Sequence, residues 1–147
     1  MKGGLIQLSA LRNFAENLVA ELKKTKERKA VVLLLSGDLG AGKTTLTQEI
    51  ARVLGVTENV ISPTFIIKKI YKTEDSRFKY LIHVDAYRLS SEKEAEILRL
   101  SDDLKNDEAL IIIEWADQIN WKKKDAEIRI SIEGEEERNM EIIYERS

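Results

Sequence analysis

The feature that most constrains this chain is a glycine-rich segment, residues 37–44, placed between an apolar run and a helical pattern. Its sequence, GDLGAGKT, fits the pattern G-x-x-x-x-G-K-[ST]. Residues 31–35 before it are continuously apolar, and Leu46, Ile50 and Val53 follow at helical spacing. A strand, a glycine loop and a helix in this order predict a phosphate-binding loop.

Each part of this motif has a chemical role. Glycines let backbone N–H groups converge on an anion where a Cβ would obstruct, and the positive end of the helix dipole faces the same anion. Lys43 can reach the β- and γ-phosphates, and the Thr44 hydroxyl can bind Mg²⁺. The sequence lacks the N-K-x-D element that reads guanine, so ATP with Mg²⁺ is the expected ligand. The residues predicted to contact it are Asp38, Leu39, Gly40, Ala41, Gly42, Lys43, Thr44 and Thr45.

Composition narrows the class of protein. The 147 residues suit one domain, residues 1–147, with one core. The net charge of −2 argues against autonomous nucleic-acid binding, so DNA is not an expected partner. The longest apolar run, residues 30–35, is too short to span a bilayer, and the first residues lack a signal-peptide hydrophobic region. We expect a cytoplasmic protein without membrane association.

The remaining pattern predicts an α/β fold. Ser9 is a predicted N-cap for a first helix, residues 91–94 form a capping box that opens a later one, and Gly55 is expected to end the helix after the glycine loop. The predicted strands are residues 31–35, 65–71, 78–84, 109–113, 127–133 and 140–145. We therefore expect a single-domain P-loop NTPase fold with a central, mostly parallel sheet flanked by helices and a C-terminal β-hairpin. Its ligand should lie at the carboxyl ends of the strands.

Two acids directly follow buried strands. Glu114 follows residues 110–113, and Asp85 follows residues 80–84. An acid at this place can hold Mg²⁺ opposite Thr44 or orient the attacking water. His83 shares a strand face with Asp85, and we expect it to be a hydrogen-bonded structural histidine. As the only histidine, in a chain without cysteine, it does not predict a zinc site.

Three further features could contribute to a site formed by these acids. Trp115 directly follows Glu114, so beyond a core or interface role it can cap the site or contact a partner. Residues 62–65 (Ser62, Pro63, Thr64 and Phe65) have the chemistry of a switch loop, although their spacing alone favours an ordinary loop. Arg88 is the nearest candidate for an arginine finger, or it pairs with Asp85 or Glu114.

Four motifs in order, residues 37–46, 62–65, 83–89 and 113–115, resemble the bacterial TsaE family along essentially the whole chain. That family is the ATPase component of tRNA threonylcarbamoyladenosine biosynthesis. The resemblance implies an ATPase that hydrolyses ATP at an interface with a transferase subunit. Its partners would be the transferase and accessory subunits that modify adenosine 37, with tRNA reached only through the complex.

The resemblance also implies residue roles. Lys43 and Thr44 would hold phosphate and Mg²⁺, Glu114 would be the second metal ligand, and Asp85 the essential carboxylate. Residues 62–65 would be switch I, Trp115 a functionally important aromatic, and Arg138 a basic residue near the nucleotide. Two departures from the family pattern are Ala86, where a bulkier apolar residue is usual, and the lack of a glycine in residues 91–104.

Two other functions use the same motif. A small-molecule kinase needs an acceptor pocket and a lid with several arginines, yet residues 72–79 contain only Arg77 and residues 92–104 only Arg99. A nucleotide-gated binding module would bind ATP and order residues 62–65 without turnover. Hydrolysis measurements separate these functions from a partner-gated ATPase.

Overall fold

The computed structural model describes residues 2–26, 28–37, 42–60, 68–86, 99–116, 121 and 123–145. In chain order its elements are β1 (Lys2–Gln7), a 3-10 turn (Leu8–Ala10), α1 (Leu11–Leu22), β2 (Val31–Gly37), α2 (Lys43–Val53), β3 (Lys68–Lys72), β4 (Tyr80–Asp85), α3 (Leu100–Asp103), β5 (Ala109–Glu114), β6 (Ala126–Ile132) and β7 (Glu137–Tyr144).

All seven strands form one mixed sheet in the order β1-β7-β6-β2-β5-β4-β3. The four central strands β6, β2, β5 and β4 are parallel to one another. The outer strands β1, β7 and β3 each join by antiparallel pairing. The expectation of a mostly parallel sheet therefore holds only for the centre. The expected C-terminal hairpin is present as β6 and β7.

The strict alternation of side chains along the central strands produces two hydrophobic cores. Leu33 of β2 and Ile112 of β5 point toward α1 and α2, whereas Val32 and Ile111 point to the opposite face. These side chains are almost wholly buried, and each contributes roughly 1.5–3 kcal/mol by leaving water. Continuous apolar runs follow because both faces of these strands are covered. The same alternation directs Glu114, two residues after Ile112, to the helical face.

Helix α2 ends as its sequence predicts. Leu54 is the C-cap, and Gly55 follows in a left-handed conformation at φ +79°. The N–H of Gly55 donates to the Arg52 carbonyl, and the N–H of Val56 donates to the Ala51 carbonyl, which is the Schellman pattern. The predicted role of Gly55 is thus confirmed.

The start of α1 differs from the prediction. Ala10 occupies the N-cap position, without a side-chain capping hydrogen bond, and Ser9 lies inside the preceding 3-10 turn. The predicted N-cap at Ser9 is wrong because the turn already gives this residue a helical setting, whereas an N-cap is non-helical. Strand β1, which directly precedes this turn, has no counterpart among the predicted elements.

The strand predicted over residues 78–84 is observed as residues 80–85, so it begins and ends later than expected. Residues 68–72 and 80–85 pair as β3 and β4, and residues 65–67 lie outside the described part of the chain. The helix predicted from residues 91–94 also lies outside it. Within the described ranges, no helix combines the length and apolarity needed to cross a bilayer.

Candidate functional site

The carboxyl ends of the parallel strands bring the predicted acids together. Asp85 on β4 and Glu114 on β5 are partners in register, and Leu35 on β2 is the partner of Glu114 on the other side. Parallel strands end at one edge, so the end of β2 at Gly37 lies at this same edge. Helix α2 begins at Lys43 just after the glycine segment. Residues distant in sequence therefore meet where an α/β sheet usually binds its ligand.

The Thr44 side chain is in direct contact with Glu114. Its hydroxyl donates to Glu114 Oε1 at 2.9 Å. Thr44 lies in the first turn of α2, and Glu114 ends β5 with 3% of its surface exposed. The contact joins the helix N-terminus to the strand end, and it brings together the two side chains predicted as metal ligands.

Glu114 is held from a second side by His83. The His83 imidazole is completely buried on β4, and Nε2 forms a hydrogen bond with Glu114 Oε2. The expectation of a hydrogen-bonded histidine is confirmed, and its partner is the acid of the neighbouring strand. Asp85, two residues further along β4, is also buried and points to the same face.

Lys43 is a buried cation that contacts both Gly37 and Trp115. Its Nζ donates to the Gly37 carbonyl at 2.7 Å and lies 4.0 Å from the centroid of the Trp115 ring. A cation over an indole face at this distance is a cation–π interaction. Trp115 has φ +60°, a left-handed conformation that costs an ordinary residue about 1–3 kcal/mol and is concentrated at functional sites. The contact with Lys43 places the Trp115 ring beside the start of α2.

Two glycines of the motif have conformations that explain their residue type. Gly42, the N-cap of α2, has φ +109°. Gly37 has φ +140°, and a Cβ at this position would lie 2.1 Å from the Ile130 carbonyl oxygen of β6. Only glycine lets β2 approach β6 this closely while turning toward α2. Gly37 was recognised from the motif, but its packing against Ile130 depends on strand order and carries no sequence signal.

Arg138 lies at the same edge of the sheet, on β7. Strand β7 is two strands from β2, on the order of 10 Å. Its guanidinium donates to the carbonyls of Gly134 and Glu137 at 3.1 and 2.9 Å, and so stabilises the turn between β6 and β7. Its predicted nucleotide contact stays a prediction.

Several predicted site residues lie outside the described part of the chain, and their roles stay predictions. They are Asp38, Leu39, Gly40, Ala41, Ser62, Pro63, Thr64, Phe65 and Arg88. Thr45 is described, and its side chain is exposed on the first turn of α2.

The oxygen atoms that the described residues offer as metal ligands are of the kind that suits Mg²⁺. Hydroxyl and carboxylate oxygens, from Thr44 and Glu114, are hard ligands of the kind that Mg²⁺ prefers. In the ranges that the structure describes, no group of three or more His, Asp or Glu side chains forms a cage for a metal. A pair of protein oxygens completed by phosphate and water is how Mg²⁺ is usually bound beside a nucleotide. The site can therefore hold a metal–phosphate ligand.

The sequence of the chain was compared with family models and with known proteins. The model of the family described as threonylcarbamoyl adenosine biosynthesis protein TsaE matches residues 6–142. The tRNA threonylcarbamoyladenosine biosynthesis protein TsaE of Haemophilus influenzae is 34% identical over 138 residues, covering 93% of this chain and 84% of that protein. The protein of the same name from Bacillus subtilis is 38% identical over 124 residues, or 83% and 75%.

A solved structure agrees with these sequence matches. The crystal structure of YdiB from Bacillus subtilis superposes with a TM-score of 0.64 at 28% identity, covering 95% of this chain and 83% of that one. The family model spans residues 6–142, which include the glycine segment and both strand-end acids. The chain therefore belongs to the TsaE family of tRNA threonylcarbamoyladenosine biosynthesis proteins.

Proposed function

We propose that this protein is the ATP-binding and ATP-hydrolysing component of the machinery that forms threonylcarbamoyladenosine at position 37 of tRNA. The observation that carries the proposal is the 2.9 Å hydrogen bond between Thr44, at the start of α2, and Glu114, at the end of β5. This contact brings the helix that follows the predicted phosphate-binding loop to a strand-end acid, and it supports a pair of ligands that would hold Mg²⁺ as in P-loop NTPases.

The chain's own residues divide the work of binding. Residues 38–45 bind the phosphates through backbone N–H groups at the positive end of α2. Lys43 exchanges the Gly37 carbonyl and the Trp115 face for the β- and γ-phosphate oxygens. Thr44 and Glu114 hold Mg²⁺, which when bound neutralises charge on these phosphates.

Asp85 is the proposed catalytic carboxylate. It is the register partner of Glu114 and is 7% exposed. Because it lies on strand β4 and not in a loop, its position beside Glu114 is fixed. In this place it orients the attacking water and accepts its hydrogen bond. It takes up the water's proton as the oxygen bonds to the γ-phosphorus, while the bond from that phosphorus to the β–γ bridging oxygen breaks and ADP leaves. The products are ADP and phosphate.

Partner gating is the part of the proposal that comes from the family. We propose that the transferase and accessory subunits of the complex stimulate a slow basal ATP hydrolysis in the cytoplasm. In this proposal the protein contacts tRNA only indirectly, through these subunits. A partner raises the hydrolysis rate most when it completes the contacts to the transition state, because an arginine provided in trans is worth about 10³–10⁵ in rate.

The test is phosphate release from ATP by the purified protein, alone and with the cognate transferase and accessory subunits. We expect slow basal release, a large rise with the complex, and loss of both in Lys43→Ala. Phosphate appearing in a metabolite instead of solution would establish a kinase. Tight ATP binding without turnover, with or without the complex, would establish a binding module.

A further inference from the structure

His83 is a polar residue in an otherwise aliphatic strand. Its neighbours Leu81, Ile82 and Val84 belong to the two cores, and its own side chain is 0% exposed. Among the residues that the structure describes, the buried Nδ1 has no hydrogen-bond partner. Burying an imidazole with an unsatisfied nitrogen is costly, and an aliphatic side chain would avoid this cost. The contact between Nε2 and Glu114 is therefore the feature that explains a histidine here.

This contact fixes the Glu114 carboxylate together with Thr44. A carboxylate oxygen can only accept a hydrogen bond, so the Nε2–H group donates and Oε2 accepts. The Thr44 hydroxyl donates to Oε1 from the opposite element. Because β4 anchors one oxygen, rotation of the carboxylate is restricted and Oε1 stays directed at α2. His83 itself is not among the residues that we propose to contact nucleotide or metal.

We infer that His83 is a positioning residue, which orients Glu114 to bind the divalent cation of a metal–nucleotide complex. The inference rests on the proposed function, because it needs Glu114 to be a metal ligand. Hydrogen-bond partners of metal ligands typically change metal affinity 10–100-fold. The contribution of His83 should therefore appear in metal affinity and be small in nucleotide binding without metal.

Two amide variants test this inference with matched polarity. Gln at position 83 places its side-chain N–H near the position of Nε2, whereas Asn reaches only as far as Nδ1. The measurement is Mn²⁺ affinity of the protein saturated with a non-hydrolysable ATP analogue, read by electron paramagnetic resonance. We expect His83→Asn to weaken Mn²⁺ binding about 10–100-fold and His83→Gln to recover most of it. Analogue affinity in EDTA should be the same in all three proteins.

A control separates positioning from packing. Ile112 is the register partner of His83 on β5 and contributes to the same core. Ile112→Val should lower the Tm while leaving Mn²⁺ affinity unchanged. Equal Mn²⁺ affinity in His83→Asn and wild type, or equal losses in the Asn and Gln variants, would overturn the inference. Wild-type protein that binds no Mn²⁺ when it is saturated with the analogue would instead overturn the proposed metal site.

The wild-type protein supplies a test that needs no substitution. His83 is the only histidine, so its ¹⁵N ring signals are unambiguous. We expect a protonated, slowly exchanging Nε2 that shifts when Mg²⁺ is added to the analogue complex. An Nε2 signal without a bound proton, or one that ignores Mg²⁺, would contradict the inference.

Discussion

Thr44 and Glu114 are 70 residues apart in the chain, and their side chains are joined by a 2.9 Å hydrogen bond across the edge of the sheet. The contact connects the first turn of α2 to the last residue of β5. Neither element alone contains a site. Their juxtaposition makes the candidate site, and the order of the central strands produces that juxtaposition.

The two residues should behave as one unit in kinetics. We expect Thr44→Val and Glu114→Gln each to lower kcat/KM for Mg²⁺-dependent ATP hydrolysis about 10²-fold or more. The double variant should lose little beyond either single one, because both hold the same metal. Thr57→Val, an exposed threonine beyond α2, is the control for the substitution type. Losses that simply add would mean that the two side chains act independently.

Asp85→Asn should separate chemistry from binding. The amide keeps the size of the side chain but cannot accept a proton, so hydrolysis should fall about 10²–10⁴-fold while ATP affinity is unchanged. Single-turnover phosphate release and equilibrium binding measure the two quantities. Asp107→Asn, exposed just before the opposite end of β5, should match wild type. Wild-type hydrolysis by Asp85→Asn would remove this residue from the mechanism.

Gly37→Ala should unfold the protein more readily. The added Cβ would meet the Ile130 carbonyl oxygen at 2.1 Å, and the φ of +140° is strained for any other residue. We expect a loss of at least about 2 kcal/mol in the free energy of unfolding by urea titration. Gly134→Ala, where the nearest atom lies at 4.0 Å, should change it by less than about 0.5 kcal/mol. Similar losses in both variants would contradict the packing argument.

Asp75 should make stability depend on acid. Burial raises the pKa of this carboxyl, but hydrogen bonds from Lys23, Phe78 N–H and Arg77 N–H outweigh burial, and the net pKa lies below its usual 3.8. The stabilisation is therefore complete above the unfolded-state pKa of about 3.9 and is lost as the pH falls through the lower folded-state value.

Asp75→Ala should consequently cost about 1 kcal/mol at pH 7 and progressively less below pH ~4. Urea unfolding of both proteins between pH ~2.5 and 7 gives the difference. Lys23→Met removes the 2.6 Å ion pair but leaves both backbone hydrogen bonds, so it should reproduce only part of the effect. A difference that is constant with pH would contradict the assignment.

Trp115 should report on nucleotide binding. Its ring carries the Lys43 ammonium at 4.0 Å, and phosphate oxygens compete for that cation. In a Trp121→Phe background, which leaves one indole, we expect ATP to change the fluorescence emission of Trp115. Lys43→Ala should alter the emission before ATP is added and abolish the response. Unchanged emission at saturating ATP would mean that Lys43 stays over the ring.

Much of the site could be read from local sequence. The glycine segment, the helix after it and the acids at strand ends were found because each is a short pattern with its own physical cause. β2 and β5 were predicted nearly at their observed bounds because strands buried on both faces are continuously apolar. Gly55 was found because a left-handed helix end favours glycine.

Other features carried no such local signal. β1, which contains two glycines, is an edge strand whose existence depends on pairing with β7. The N-cap predicted at Ser9 failed for a related reason, because a turn following that strand takes up the residue. The antiparallel outer strands also follow from pairing partners that are distant in sequence.

The sequence by itself determined which residues are candidates for the chemistry. It also determined that they lie at the ends of strands or the start of a helix, because these properties depend on neighbours a few positions away. The tertiary structure decided which of them touch. It paired His83 with Glu114, and Lys43 with Trp115, because strand order and register are set by contacts between segments that are far apart in the chain.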